Sequence, residues 1–175
     1  DSMKTTKLLS VLIVAGLFCS QALALTGDRD KPIEVQADHF LGDEIKQTAV
    51  YTGNVQVDQG SMRLTGQKLT LVEKANGYRT GTLTGSQATF RQQRDPRAAN
   101  IKEWVKGRAN QIHYEERTGI VTLTGNAVVE REVNGVVQES AKGSKIVYDT
   151  IRSRTIIQGS QGGRATTVIA PRSRQ

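Results

Sequence analysis

Two stretches decide the fold, Tyr51-Thr52-Gly53-Asn54-Val55 and Leu123-Thr124-Gly125-Asn126-Ala127. The second follows the first by 72 residues, and residues 37–52 align with residues 109–124 without a gap. Glycine and asparagine tolerate the positive φ values of tight turns, so each Thr-Gly-Asn is predicted to end one strand and start the next. Two such motifs in one register indicate a duplication of the chain.

The duplication continues past these motifs with one insertion. Residues 66–71 match residues 143–148, now 77 positions on. The five additional residues lie around 132–136, where Asn134-Gly135 predicts a two-residue hairpin turn. Two like halves predict a long ribbon folded back and forth, with an interior of nearly uniform cross-section.

Short segments of alternating apolar and polar residues fill the chain after residue 24. This alternation is typical of half-buried strands, and glycine, asparagine or aspartate closes each segment. No long stretch has the spacing of an amphipathic helix. The sequence therefore predicts an all-β protein of about 14 to 16 short strands.

The N-terminus has the pattern of an export signal. Residues 1–2 precede Met3 and are interpreted as left from cloning, followed by a signal peptide over residues 3–24. A short basic region and an uncharged apolar run at residues 8–18 give this pattern, and small residues predict cleavage after Ala24. The predicted location is the periplasm.

Two alternatives to cleavage stay open. The apolar run could be kept as a membrane anchor, although it is about half the roughly 20 residues that a spanning helix needs. Cys19 could carry a lipid, although Phe18 stands before it where that chemistry prefers a small residue. With cleavage, residues 25–170 are predicted to form a single domain and residues 171–175 a flexible basic tail.

The charge and the cysteine count limit the function. The chain carries a formal charge of +7, and Cys19, within the predicted signal, is its one cysteine. The exported part would therefore have no disulfide and no thiolate chemistry. Export and scattered basic residues argue against nucleic acid and favour an anionic partner such as a phosphorylated glycolipid. A basic surface that only aids solubility is the alternative.

One face of the predicted sheet is apolar, because neighbouring residues of a strand point to opposite faces. This set can fill a closed core or line an open groove, and the sequence leaves both possible. Its predicted members are Ile33, Val35, Val55, Val57, Leu69, Leu71, Phe90, Ile112, Tyr114, Leu123, Val129, Ile146 and Tyr148.

Residues for catalysis are not apparent. His39 and His113 are the two histidines, and neither lies in a metal-binding or hydrolase motif. A strand would place His113 on the face opposite Tyr114, where a surface or cross-strand hydrogen bond is the predicted role. We expect a protein that is not an enzyme and has no metal or other cofactor.

The ordered set of motifs resembles the OstA-like family of lipopolysaccharide-transport proteins. The similarity begins at Leu25-Thr26-Gly27-Asp28 and covers nearly all of the chain that follows. Further matching segments are residues 31–38, 51–55, 85–90, 107–109, 113–115, 121–127, 143–148 and 164–168.

This resemblance implies a twisted antiparallel β-jellyroll, open at both ends, that binds the acyl chains of lipopolysaccharide (lipid A) in its groove. Carried over by position, the lining would include Ile33, Val35, Phe90, Ile112 and Tyr114. The family also implies end-to-end self-association and a bridge between inner-membrane LptC and outer-membrane LptD. The exposed first and last strands would join copies through Ile33, Val35, Ala37, Thr166 and Val168.

Two other functions stay open. The chain could be the membrane-anchored sister component of the same pathway, which would keep its N-terminus. It could also be a structural β-repeat scaffold that assembles without carrying lipid.

Overall fold

The computed structural model describes residues 26–95, 98–159 and 163–170. A 3₁₀ turn at Thr26–Asp30 precedes the strands. In chain order the strands are β1 (Glu34–Gln36), β2 (His39–Asp43), β3 (Thr48–Gln59), β4 (Met62–Glu73), β5 (Arg79–Gln93), β6 (Glu103–Glu115), β7 (Ile120–Val133), β8 (Val136–Asp149), β9 (Arg154–Gln158) and β10 (Thr166–Ile169).

The strands form one ten-stranded antiparallel sheet in the order β1-β3-β4-β5-β6-β7-β8-β10. β2 also pairs with β3, and β9 also pairs with β8. Each edge of the sheet therefore consists of two short strands laid along one long strand. The all-β prediction is confirmed. The predicted signal peptide with Cys19, the cloning residues and the basic tail lie outside the described residues.

The Thr-Gly-Asn motifs do not end strands, so their prediction as turns is wrong. β3 and β7 run through them, with φ values of +85° at Gly53 and +47° at Asn54. Gly125 and Asn126 repeat these values at +81° and +47°. The pairing register shifts at both motifs. Each motif is a β-bulge, which bends a strand and leaves it continuous.

The bulges of neighbouring strands fall on one line across the sheet. Register shifts also occur at residues 65–68 of β4, 84–88 of β5 and 108–111 of β6. Along this bulge line the long strands β3 to β8 bend and the sheet folds on itself. The described residues form ten strands, so the expectation of 14 to 16 short strands is wrong. It counted the two segments of each bent strand separately.

Folding at the bulge line creates two layers, with the core between them. Layer A contains β1, β10 and residues 55–59, 62–65, 88–93, 103–108, 127–133 and 136–143. Layer B contains β2, β9 and residues 48–52, 68–73, 79–84, 111–115, 120–124 and 145–149. The ring of Phe90 in layer A lies 5.9 Å from that of Tyr148 in layer B, centroid to centroid.

The duplication holds in three dimensions. A Cβ added to Gly53 would lie 2.5 Å from the Asp38 carboxylate, and one added to Gly125 would lie 2.7 Å from the Asn110 amide. Asp38 joins β1 to β2, so these two strands occupy the place that β6 has in the second half. In the same way β9 and β10 pair with β8 as β5 pairs with β4. The Asn134-Gly135 hairpin turn between β7 and β8 is also confirmed.

We expect Gly125→Ala to destabilise the protein more than Gly135→Ala. The two glycines have nearly equal φ values, +81° and +83°, so each alanine has a backbone cost of about 1–3 kcal/mol. Only at Gly125 does the new Cβ also meet a neighbour, the Asn110 side chain, whereas nothing lies within 4 Å at Gly135. Urea unfolding would compare them. Equal losses would contradict close packing at the bulge line.

Candidate binding groove

The inner faces of the two layers bring together all of the apolar residues predicted to line a groove. Nine of them are buried in one cluster: Val55, Val57, Leu69, Phe90, Ile112, Leu123, Val129, Ile146 and Tyr148. Four are half-buried and pack against it: Ile33, Val35, Leu71 and Tyr114. Their contact with acyl chains stays a prediction.

The interior varies in width along the sheet, so the expectation of a uniform cross-section is wrong. In the first half the layers enclose a cavity of about 30 Å³, and a more open recess of about 490 Å³ lies at the first edge, beside β2. In the second half the cavity is about 370 Å³. Side-chain size at equivalent positions explains the difference. Leu64 pairs with Phe90 across β4 and β5, whereas the corresponding pair in β8 and β10 is Ala141 and Thr167.

The larger cavity has an apolar floor and a charged rim. The floor includes Val105, Val129, Ala141, Tyr148 and Ile157, drawn from both layers. The rim carries the guanidinium groups of Arg94 and Arg131 and the carboxylate of Glu139. The apolar chains of an amphiphile match this floor, because they leave water there, while the guanidinium and carboxylate groups of the rim pair with one another.

Hydrogen bonds hold the charged side chains of the rim in place. The Glu103 carboxylate, with 3% of its side chain exposed, accepts from Arg94 at 3.2 Å and from Arg131 at 2.9 Å. Arg131 also donates to Glu139 at 3.0 Å. The hydrogen bonds to Glu139 and Glu103 raise the pKa of Arg131 above its ordinary value, so this side chain stays charged.

The rim residues were not among those predicted. Alternation could have found two of them, because Arg131 lies two residues after Val129 and Glu103 two residues before Val105. Each therefore shares the inward face of an apolar neighbour. Their pairing could not be read from the sequence, since it joins residues on different strands.

Two tyrosines belong to the groove. Burial raises the pKa of Tyr114 above its ordinary value, with smaller and opposing effects from Arg29 and Glu116. Burial likewise raises the pKa of Tyr148, against the effect of Arg94. Both phenols therefore remain neutral at physiological pH, and the apolar interior gains no charge from them.

His113 has the cross-strand role predicted for it. Its Nδ1 atom lies 2.9 Å from the Thr82 hydroxyl on the paired strand β5. Within residues 26–95, 98–159 and 163–170, no three His, Cys, Asp or Glu side chains are grouped as metal ligands. In the same part of the chain, no helix has the length and hydropathy that crossing a membrane requires.

The two sheet edges carry exposed apolar side chains. Phe40 and Leu41 on β2 are 62% and 69% exposed, and Ile156 on β9 is 60% exposed. On β10, Val168 and Ile169 are 62% and 71% exposed. Such a concentration at unpaired edges is typical of surfaces where another chain is added.

The predicted edge residues divide between the two ends. Ile33, Val35 and Ala37 are half-buried against the core at the first edge, and Thr166 and Val168 are exposed at the last. β2 and β9 were not predicted as edge strands. Alternation alone does not show which strands lie at an edge.

The fold and the groove define an unclosed, two-layered β-jellyroll with an apolar interior. A family model described as "LptA/(LptD N-terminal domain) LPS transport protein" matches residues 34–154. The "Lipopolysaccharide export system protein LptA" of Escherichia coli (strain K12) is 34% identical over 96% of this chain and 88% of its own. LptH of Pseudomonas aeruginosa, also named a lipopolysaccharide export system protein, is 39% identical over 93% of this chain and 86% of its own.

A solved structure gives the same result. The crystal structure of Pseudomonas aeruginosa LptH matches with a TM-score of 0.70 and 33% identity, covering 83% of this chain and 99% of that one. Its title calls LptH the LptA-homologous periplasmic component of the conserved lipopolysaccharide transport device. The chain belongs to the LptA/(LptD N-terminal domain) family of lipopolysaccharide transport proteins. The jellyroll and the family resemblance drawn from the sequence are confirmed.

We expect the two groove tyrosines to ionise late in an alkaline titration. Their raised pKa values mean that the folded state favours the neutral phenol, so the stabilisation they give is present below the ordinary tyrosine pKa and is lost as pH rises through the raised value. Tyrosinate absorbance reports the ionisation. The double variant Tyr114→Phe, Tyr148→Phe should lose the late component. If the late component of the titration persisted in the double variant, the burial of Tyr114 and Tyr148 would be contradicted.

Proposed function

We propose that this protein carries lipopolysaccharide through the periplasm, with the acyl chains of lipid A lying between the two layers. The observation that carries the proposal is the apolar cluster between the two layers, beside which a cavity of about 370 Å³ with both apolar and polar walls opens in the second half. The family to which the chain belongs supports lipopolysaccharide as the cargo. The LptH title supports the periplasm as the location.

The chemistry of the interior suits transport. Each acyl CH₂ group taken out of water contributes about 0.8 kcal/mol, so several chains gain enough to enter a shared groove. Apolar contacts have no direction, so chains can slide along the floor. Arg94 and Arg131 at the rim would face the phosphates of the headgroup. This transport requires no reaction of the protein, as expected from a sequence in which residues for catalysis are not apparent.

We expect Ala141→Leu to lower lipopolysaccharide binding several-fold. Leucine is the residue at the equivalent position 64, and at 141 it would occupy the larger cavity. Thr70→Leu adds a similar apolar group on the outer face of layer B, one residue from buried Leu69, and serves as the control. The measurement is the amount of lipopolysaccharide captured by each purified variant.

The outcomes of this experiment separate the candidate functions. Equal capture by the two variants would contradict cargo in the second half. If the unmodified protein captures no lipopolysaccharide, the structural scaffold is the correct function. The intact mass of the exported chain tests the sister component, because that protein would keep residues 3–24.

We further propose that copies join end to end, forming the bridge between LptC and LptD. The duplication supports this arrangement and supplies its register. β9 and β10 occupy the place of β5 in the repeat, and β1 and β2 occupy the place of β6. The pairing of β5 with β6 inside the chain is therefore a template for pairing the last edge of one copy with the first edge of the next.

Transferring the internal register gives specific partners. Thr82 pairs with His113 inside the chain, and the equivalent pair between copies is Ile156 with Leu41. The same transfer of register places Arg154 of one copy opposite Asp43 of the next, so that two opposite charges meet. Exposed apolar residues would meet at the joint, and both layers would continue from one copy into the next. The groove would then extend through the assembly.

We expect a disulfide between Leu41→Cys in one preparation and Ile156→Cys in a second, both carrying Cys19→Ser. Directly opposed residues bring their Cβ atoms within disulfide reach. Thr155→Cys in place of Ile156→Cys is the control, because a shift of one residue turns the side chain to the other face. Non-reducing electrophoresis of tagged mixtures measures the yield. Similar yields from both pairs would contradict the register.

A further inference from the structure

The segment just before β1 connects the strand tips of the two layers. This segment, residues 26–31, is called the strap. The Asp28 carboxylate, 3% exposed, accepts hydrogen bonds from the backbone and hydroxyl groups of Ser61 and from Gln92 at 3.3 Å. Gln59 donates to the backbone carbonyls of Arg29 and Lys31, both at 3.1 Å. All three partners lie at the tips of the layer A strands, away from the bulge line.

The other side of the strap is attached to layer B. The Arg29 guanidinium donates to the backbone carbonyl of Glu116 at 2.9 Å and to that of Arg117 at 2.7 Å. These residues form the turn between β6 and β7. The strap thus connects the tips of the two layers on the side opposite the bulge line.

Every one of these attachments is polar. The strap sequence, Thr-Gly-Asp-Arg-Asp-Lys, contains no large apolar side chain that would anchor it in the core. Water can replace its hydrogen bonds when it leaves, so its release costs little compared with separating the layers. Gly60 leaves room for the strap, because a Cβ there would collide with the Asp28 carboxylate.

The latch has no equivalent in the part of the second half that the structure describes. The residues that correspond to Asp28 and Arg29 in the repeat are Asn100 and Ile101, which have neither a carboxylate nor a guanidinium. The narrow cavity lies in the strapped half, where its lining includes Ile33, Tyr114 and Glu116. The wider spaces lie away from the strap, at the first edge beside β2 and in the second half. The latch is therefore a feature of one half rather than a requirement of the fold.

We propose that the strap is a gate in the side of the groove, with Asp28 and Arg29 as its latch. With the strap released, acyl chains enter the first half sideways between the strand tips. With the strap bound, the layers are held together over the chains. The inference rests on the proposed function for its cargo, and it adds an entry route distinct from the two sheet edges.

The test uses a reversible disulfide that links the strap to layer A. Asp28→Cys with Ser61→Cys, in a chain carrying Cys19→Ser, places two thiols where the present side chains are in hydrogen-bonding contact. Uptake of fluorescently labelled lipopolysaccharide is followed in the oxidised and reduced forms. Oxidation should slow uptake and reduction should restore it. The unmodified protein carrying only Cys19→Ser should respond to neither treatment.

A second variant keeps the proposal testable if the cysteine pair fails to fold. Arg29→Gln removes the two hydrogen bonds of the guanidinium to layer B and should speed uptake about thirtyfold, the change expected from losing two net hydrogen bonds. Asp30→Asn, which removes a charge from an exposed strap side chain, should leave the rate unchanged. Uptake that is equal in the locked, unlocked and Arg29→Gln forms overturns the gate while the proposed function stands. Absence of uptake by the unmodified protein overturns the proposed function itself.

Discussion

The bulge line is the constraint on which the rest of the structure depends. Gly53-Asn54 and Gly125-Asn126 hold positive φ values in the middle of long strands, and register shifts in the strands between them complete the line. Without these bends, β3 to β8 would form one broad sheet with a single apolar face open to water. With them, the same face closes on itself, and the apolar side chains of layers A and B meet.

A fold made in this way has an interior whose width depends on side-chain size. Leu64 and Phe90 fill the first half, while Ala141 and Thr167 leave space in the second. The duplication therefore conserves the backbone path and the pairing scheme, but it does not conserve the cross-section. The strap adds a second difference, because Asp28 and Arg29 connect the layers where the interior is narrowest.

Alternation and the repeat were enough to predict the strand class, the inward face and the Asn134-Gly135 hairpin. They were not enough to separate a bulge from a turn, because Gly-Asn adopts positive φ values in both. That ambiguity led to the high strand count. The charged rim and the strap depend on contacts between distant residues, such as Arg29 with Arg117, which no local pattern reports. The edges β2 and β9 were missed for the same reason.

The central claim is that acyl chains lie between the two layers, and site-specific photo-crosslinking tests it most directly. Tyr114 and His113 are neighbours on β6 and therefore lie on opposite faces of the sheet. Tyr114 lines the groove, and His113 is hydrogen-bonded to Thr82. A photo-reactive amino acid at position 114 should capture lipopolysaccharide, and the same group at position 113 should capture little. Equal capture at both positions, or capture at 113 alone, would contradict a groove between the layers.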